Sequence, residues 1–590
     1  MKRNYKSLLA FVLALMMLLS LLAGCNKEKP VETKPNETQG STKPNQVETQ
    51  PVESKYPDYL NLDGYRPIVK DGEKITLKIA VVTNPSTTEP MEDVWFVRFI
   101  EEVLNIDLEI QEIPYAERTE KINLLYNTGD LPDMMFVFGT NAASTVNYGV
   151  DQGLLLPISD YFDEDLTPNL LSLYEKNPLA MDSYTASDGK VYGMPQIRGD
   201  IFGAGSTIPG GYWIFTDTAY MKAAGYESQP QDVDGFMDML RAFKNVGDQI
   251  GVDAVYPILG DGQYRTIFKN AMGWMAYLGD DDAAPYWDVE EGKVVVPLAS
   301  DKYEEYVTLL KTLYEEELIH PDCFTMDRAT IKALQTEQRA GVLSVDAPYL
   351  IAPERWNEYT ATIPLKSEHN PNGLILAAGN FASSSYINIS ADTEYPELCV
   401  RLVDYLYSEE GLVYNAYGPA KGSEDTLGLV EGFTFDANDQ LDYGTQDDNY
   451  ENVSAYRVNN INLSYQFFAD EYYFSEYAHK LAGAEFKGFA KNENDKTLHY
   501  KYSLAEACEG KLVAPLPTMY MSLEDNARYA DLKKVLKDYC NQEVAKFMTG
   551  QRDMSEFAAF RNELEAIGLK EYLELVDKYY GNISPREIIN

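Results

Sequence analysis

The chain has 590 residues, 45% of them hydrophobic and 12% aromatic, with a formal net charge of −43. That is enough apolar material for substantial cores, and the length suits roughly three or four domains. The acidic balance excludes nucleic acid, whose binding depends on neutralising phosphates. It also argues against docking on anionic lipid, and reads as a solvated acidic surface.

The chain opens MKRNYK, with Lys2, Arg3 and Lys6, and continues as an unbroken apolar or small run from Leu8 to Ala23. A basic start, a short greasy core and small residues at a cleavage point are the layout of an export signal. A spanning helix needs roughly 20 apolar residues, so this run is marginal for a span. It ends Leu22-Ala23-Gly24-Cys25, which resembles the lipobox of exported bacterial lipoproteins. The resemblance implies a signal peptide over 1–24, lipidation of the Cys25 thiol, and anchoring on the extracellular face of the cell membrane of a Gram-positive-type bacterium. Two acyl chains anchor stably where one is marginal. Losing three positive charges and no acid would take the net charge from −43 to −46. Residues 25–56, rich in Lys, Glu, Thr, Gln and Pro, cannot bury enough to offset their ordering entropy. They are expected to form a disordered tether, extended by its prolines. Beyond Cys25 stand Cys323, Cys399, Cys508 and Cys540, with no C-x-x-C pair. A metal cluster is not expected, and their pairing is open, though Cys399 in LCVRLV reads as a buried free thiol.

The folded body begins with ITLKIAVV (75–82), a strand, followed by a helix around DVWFVRFIEEVL. IDLEIQEI alternates with period two, a strand. PYAERTEKINLLYNTGD reads as a helix ending at Gly129, and MMFVF as a short buried strand. Strands and helices alternating at this spacing predict βαβ units and a largely parallel sheet. Ligands of such sheets bind beyond the carboxyl ends of the strands, which places Phe138, Gly139, Thr140 and Asn141 at a site edge. Farther on, SDGKVYGMP reads as a turn and strand, and GYWIFTDTAYMKAAGY as a strand into a helix. YWDVEEGKVVVP reads as a hairpin turning at Glu291-Gly292. KYEEYVTLLKTLYEEEL carries a helical stripe of Tyr303, Tyr306, Val307, Leu310 and Leu313. RAGVLSVDAPYL is a strand into a loop, FASSSYINIS a strand, and PELCVRLVDYLYSEEGL a helix. The tail from Leu523 to Tyr580 reads as several helices.

Five of these stretches together resemble the solute-binding proteins of sugar ABC importers, the maltose-binding-protein-like family. They are INLLYNTGDLPDMMFVF, DGKVYGMP, YWIFTDTAYMKAAGY, RAGVLSVDAPYL and FASSSYINISADTEYPELCVRLVDYLYSEEG. The resemblance implies a class II periplasmic-binding-protein-like α/β fold of two lobes around a hinge. By colinearity, lobe one is 57–196 plus 374–430 and lobe two is 197–373 plus 431–590, with crossings near Gln196, Gly373 and Glu431. The family's Asn-Gly-Pro-Trp cleft motif stands here as Asp346-Ala347-Pro348-Tyr349. Its Glu-Pro-Tyr stands as Gly262-Gln263-Tyr264, and its acidic residue after the first-lobe strand as Thr140.

The chemistry of a sugar supports the same choice. Aromatic rings cover its C–H faces, while carboxylates, amides and Arg bind its hydroxyls. The expected rings are Phe138, Trp213, Tyr264, Trp274 and Tyr349. The expected polar partners are Thr140, Asn141, Arg198, Gln263 and Asp346. No H-E-x-x-H, Walker loop, G-x-S-x-G or dinucleotide-binding glycine motif occurs. His320, His369, His479 and His499 read as solvated surface residues. Residues 436–447 faintly resemble a calcium loop, but Leu441 stands where the turn glycine belongs, and a hairpin is expected there. Neither cofactor nor metal is expected. The partners expected are a small solute, an oligosaccharide by preference, the membrane subunits of an ABC permease, and the membrane through the anchor. The protein is expected to be a monomer that binds no nucleic acid. The alternatives are an anchored glycan-degrading enzyme and a ligand-sensing partner of a membrane kinase.

Overall fold

The computed structural model describes residues 55–176, 183–198, 213–259, 264–276, 281–345, 347–377, 381–435, 441–442, 450, 453–464, 468–469, 471–487 and 496–589. Met1–Lys55 and Tyr56–Asn590 are separate units, and Tyr56–Asn590 is compact on its own. Cys25 and the tether before Lys55 lie outside the described residues. No helix among the described residues is long and apolar enough to cross a membrane.

In chain order the second unit opens with β1 (Ile75–Val82), α1 (Trp95–Glu102), β2 (Ile106–Ile113), α2 (Arg118–Thr128) and β3 (Met134–Thr140). α1 buries Trp95, Phe96, Phe99 and Ile100 on one side. α2 stops at Gly129, whose φ of 71° is the left-handed conformation glycine adopts without steric cost. Next come β4 (Met194–Arg198), β5 (Ile214–Asp217), α3 (Thr218–Ala223), α4 (Val233–Phe243), β6 (Tyr256–Ile258), α5 (Tyr264–Ala271) and α6 (Tyr303–Glu315). Asp217 starts α3 by accepting from the backbone of Ala219 and Tyr220, an N-cap contact. Then follow β7 (Ala340–Ser344), β8 (Tyr359–Ala361), β9 (Phe381–Ile389), α7 (Pro396–Leu406) and α8 (Glu409–Tyr417). The chain ends with β10 (Phe468–Ala469), α9 (Glu471–Leu481), α10 (Lys496–Cys508), α11 (Leu523–Met548), α12 (Phe557–Ala566) and α13 (Leu569–Tyr580).

Two main sheets result. The first has the order β10-β4-β9-β3-β1-β2, and the second β8-β5-β7-β6. β1 runs parallel to β2 and β3, as the βαβ pattern predicts. The sheets are nevertheless mixed rather than largely parallel. β9 lies antiparallel to β3 and β4, and β5 antiparallel to β7 and β8. β9 reaches the first sheet from the second sheet's side of the chain, not through a crossover helix, so it enters head to tail.

Each sheet carries its own core, giving the two-lobed fold. Leu77, Ile79 and Val81 of β1 pack with Trp95 and Phe99 of α1 and with Leu402 and Tyr405 of α7. In the second core the α6 stripe Tyr303, Tyr306, Val307, Leu310 and Leu313 packs against Leu536, Val544 and Phe547 of α11. The expected boundaries need correction. Phe433, Tyr456, Ile461, Leu463 and Tyr477 belong to the first core, not the second. The third passage between cores therefore falls between Leu481, against the first core, and Tyr500, within a cluster on the second sheet. The segment PELCVRLVDYLYSEEGL is two helices, because the Ser408 hydroxyl accepts from Gly411 N at 3.0 Å and starts α8 afresh. The flanks of the 436–440 segment pair as a hairpin, Thr434 with Asp442 and Phe435 with Leu441; the segment itself lies outside the described residues.

Cys323, Cys399, Cys508 and Cys540 are free thiols, and Cys399 is buried. The histidines are not the solvated set expected. His479 is buried and stacks on Phe435 at 3.8 Å, His320 is buried beside Tyr256, and His369 is held between carboxylates.

Candidate functional site

The strand registers bring several of the expected residues to two sheet edges. β1, β2 and β3 are parallel, β1 and β2 ending level at Val82 and Ile113 and β3 running on to Thr140. β9 enters at the same edge, with Ser385 opposite Thr140. Ser385 also opposes Pro195 of β4, and Phe381 opposes Ile197. Arg198, paired with Ala469 of β10, thus lies at this edge too, beyond Pro195. In the second sheet Ile214 opposes Ser344, and Val345 N donates to Trp213 O at 3.2 Å. The start of β5 and the end of β7 therefore meet, carrying Trp213 and the Ala347-Pro348-Tyr349 turn to one edge.

Trp213 and Tyr349 are gathered by a third ring, Tyr500 of α10. Tyr500 lies 6.1 Å from Trp213 at 45° and 6.1 Å from Tyr349 at 60°, within the range of favourable aromatic pairs. Phe215 supports Tyr500 from below at 6.2 Å. Tyr500 is buried, whereas Trp213 and Tyr349 are half-buried and keep ring surface toward solvent. The exposed Lys496, one turn before Tyr500, places its Nζ 5.3 Å from the Tyr349 ring, a cation–π distance. The group is an amphipathic ledge with apolar faces and one cation.

The first-sheet residues are held by their neighbours. Thr140 is buried and donates to Asn388 Oδ1 at 2.8 Å. Its oxygen lies 3.2 Å from the Tyr126 hydroxyl, and Asn388 Nδ2 donates to Tyr192 O at 2.9 Å. Burial raises the Tyr126 pKa to about 12, so this phenol keeps its proton. Thr140 thus locks the end of β3. Phe138 is buried edge-on to Tyr126, which stacks on Tyr148 at 3.9 Å. Asn141 is exposed, and its side chain accepts from Ser144 N at 3.0 Å, capping the next turn.

Two expected rings are core residues. Trp274 is fully buried, edge-on to Tyr306 at 5.6 Å. Tyr264 is 4% exposed within the second core, and burial raises its pKa. Tyr264 opens a helix whose eight residues are all buried, and both rings fill volume in the second core. Gln263 and Asp346 lie outside the described residues, and Arg198 is placed by its backbone alone. The residue missed was Tyr500. KTLHYKYSLAEAC spaces Tyr500, Leu504 and Cys508 four apart, and all three are buried; that helical stripe was the available signal.

Residues 95–420 match the family described as bacterial extracellular solute-binding protein. The chain belongs to that family. This solute-binding protein is 24% identical over 519 residues to the fructooligosaccharide ABC transporter substrate-binding protein FusA of Streptococcus pneumoniae serotype 4, covering 86% of this chain and 90% of that one. It is 25% identical over 282 residues to lipoprotein LipO of Bacillus subtilis, 46% of this chain and 50% of that one. Its fold is similar to the structure of FusA in complex with kestose, with a TM-score of 0.59 at 21% identity, over 86% of this chain and 99% of that one. It is also similar to an HMO-binding, ABC-transporter-associated solute-binding protein from Bifidobacterium longum infantis, with a TM-score of 0.65 at 19% identity over the same shares.

Proposed function

We propose that this solute-binding protein captures an oligosaccharide outside the cell and delivers it to the membrane subunits of an ABC importer. The observation that carries this reading is the ledge of Trp213, Tyr349 and Tyr500 at the edge of the second sheet. A sugar stacks its apolar C–H face on such rings, and its hydroxyl rim needs polar partners beside them. Asn141, Arg198, Gln263 and Asp346 are the partners we assign, with Lys496 added from α10. Lobe one is proposed as 57–198, 381–481 and the return at Tyr520, which packs beside Phe138; lobe two holds the remainder. Closure about the connecting segments, a motion for which periplasmic binding proteins are the standard example, desolvates the bound sugar. The permease then recognises the closed form of a monomer. Cys25 carries the lipid, and the tether gives the body reach from the bilayer. The work is capture and release, with no bond made or broken in the solute. Similarity to a fructooligosaccharide-binding relative supports the carbohydrate class.

Intrinsic tryptophan fluorescence of residues 56–590 against fructo-oligosaccharides, milk-type oligosaccharides and other glycans tests the proposal. Saturable one-to-one binding, with intact glycan recovered and the signal lost in Trp213→Phe, is expected. Silence across the panel would overturn the carbohydrate reading, and recovery of cleaved glycan would favour an enzyme.

A further inference from the structure

Outside the aromatic ledge, one side-chain cluster on the second lobe carries chemistry that solute capture does not use. His369 stands between carboxylates from three segments. Its Nδ1 is 2.8 Å from Glu290 Oε2, in the hairpin of residues 286–295, and its Nε2 is 3.1 Å from Glu305 Oε2, in the first turn of α6. Glu368 Oε1 lies 3.8 Å from the same Nε2. Glu305, Glu368 and His369 each offer one ligand atom, and the three atoms lie within 4.8 Å of one another.

We propose that Glu305, Glu368 and His369 form a three-ligand site for a divalent ion of the zinc class, with water completing the coordination. The spacing fits such an ion. Bonds of roughly 2.0–2.2 Å in a tetrahedron put neighbouring ligand atoms about 3.3–3.6 Å apart, between the 3.1 and 3.8 Å found from the His369 nitrogen. The orientation fits as well. Glu290 is placed to accept the Nδ1 proton, which leaves the Nε2 lone pair facing Glu305 and Glu368. That is the carboxylate–histidine–metal relay, in which the outer carboxylate fixes tautomer and ring angle. Glu290 is itself held by Lys302 at 3.2 Å, and Lys302 by the buried Asp288 at 2.6 Å. An imidazole with two carboxylates suits zinc better than calcium, which takes six to eight oxygens. A bound ion ties the 286–295 hairpin, α6 and the loop around His369 into one piece.

A proton competes for the same nitrogen. Metal binding must displace that proton, so affinity falls as pH falls.

The test is calorimetric titration of zinc chloride into the full chain, stripped of metal and held in detergent, at about pH 7.5 and about pH 5.5, on either side of the ordinary histidine pKa. One equivalent binding at the higher pH, with a rise in melting temperature and at least ~10-fold weaker binding at the lower pH, is the expected result. Glu368→Gln decides whether these are the ligands. Glu368 is 81% exposed, so the metal-free variant should melt like wild type yet bind zinc at least ~10-fold more weakly. His369→Ala should abolish the stoichiometric binding. Zinc affinity unchanged in Glu368→Gln, or no stoichiometric binding to wild type, overturns the proposal. The sugar titration is independent, so either reading can fail alone.

Discussion

Gly193→Ala tests how the first-lobe edge of the site is held. Gly193 lies just before β4, against β9. A Cβ built there would fall 2.4 Å from Asn388 Nδ2, 2.5 Å from Ser385 Oγ and 2.6 Å from Ser385 Cβ. Carbon atoms rest comfortably about 3.5–4.0 Å apart, so the neighbours would have to yield by roughly 1 Å. Neither can yield freely. The Ser385 Cβ is fixed to a central strand, and Asn388 is fully buried with bonds to Thr140 and to Tyr192 O. Overpacking of this kind costs ~1–3 kcal/mol, and each buried hydrogen bond it disturbs adds about 1 kcal/mol. We expect a loss of about 2–4 kcal/mol in urea unfolding of residues 56–590. Saccharide affinity should fall with it, because Thr140 positions Asn141. Asn388→Ala removes one of the two side chains that the methyl group meets and leaves Ser385, so the double variant should lose at least ~0.5 kcal/mol less than the sum of the singles. A Gly193→Ala protein that unfolds like wild type, or a strictly additive cycle, refutes the reasoning.

Four further outcomes are expected. Tyr349→Ala removes a half-buried ring worth ~0.5–1.5 kcal/mol in stacking, so calorimetry should read a two- to tenfold weaker saccharide Kd, about a factor of ten per 1.4 kcal/mol, with little change in melting. Asp404→Ala strips the buried Arg401 of its nearby carboxylate, 3.9 Å away, and strands the Leu170 N–H and the Tyr65 hydroxyl, both of which donate to Asp404; denaturant melts should show a loss of about 3–5 kcal/mol. Cys25→Ser should release the protein from the membrane or leave it unprocessed, and undiminished lipid labelling would rule out the anchor. His369 should make metal-free stability depend on pH. Its folded pKa is raised by Glu305 and Glu290 despite the lowering effect of burial, and Glu368, Lys302 and Asp288 also surround it. A raised folded pKa means this contribution is full below the unfolded value of about 6.5 and fades as pH rises through the folded pKa. Melting temperature in chelator should therefore drop over that window, and the drop should vanish in His369→Gln.

The elements were legible wherever one segment decides its own partner face. ITLKIAVV and IDLEIQEI became β1 and β2 because their apolar residues must meet a helix-covered sheet. The α6 stripe became a fully buried ridge for the same reason. Lobe boundaries were not legible, because they depend on which core a late segment joins. Phe433, Tyr456 and Tyr477 are as apolar as the rings of the tail helices, and nothing local says that they pack against α1 and α7 rather than α11. The break between α7 and α8 was legible in principle: Ser408 followed by Glu409 and Glu410 is an N-cap with acids at the positive end of a helix, worth ~0.5–2 kcal/mol at the cap.

The rings mark where sequence reading stops. Trp213 and Trp274 are the same residue type, both placed beside a strand by the order of segments. Trp274 is enclosed by Tyr303 and Tyr306 and fills the second core, while Trp213 packs beside Tyr500 and stays half-buried. The difference lies in the third element that arrives: α6, with its apolar stripe, covers one indole, and α10 props the other. A ring's availability to a sugar is thus a property of what packs behind it, and for Trp213 that partner, Tyr500, is contributed by chain more than 280 residues away. Thr140 makes the same point for polar groups. It stands at the expected carboxyl end of β3, yet Asn388, 248 residues later, takes its hydroxyl. Position along the fold brought several candidates to the two edges; packing against other segments determined which of them stay open to solvent.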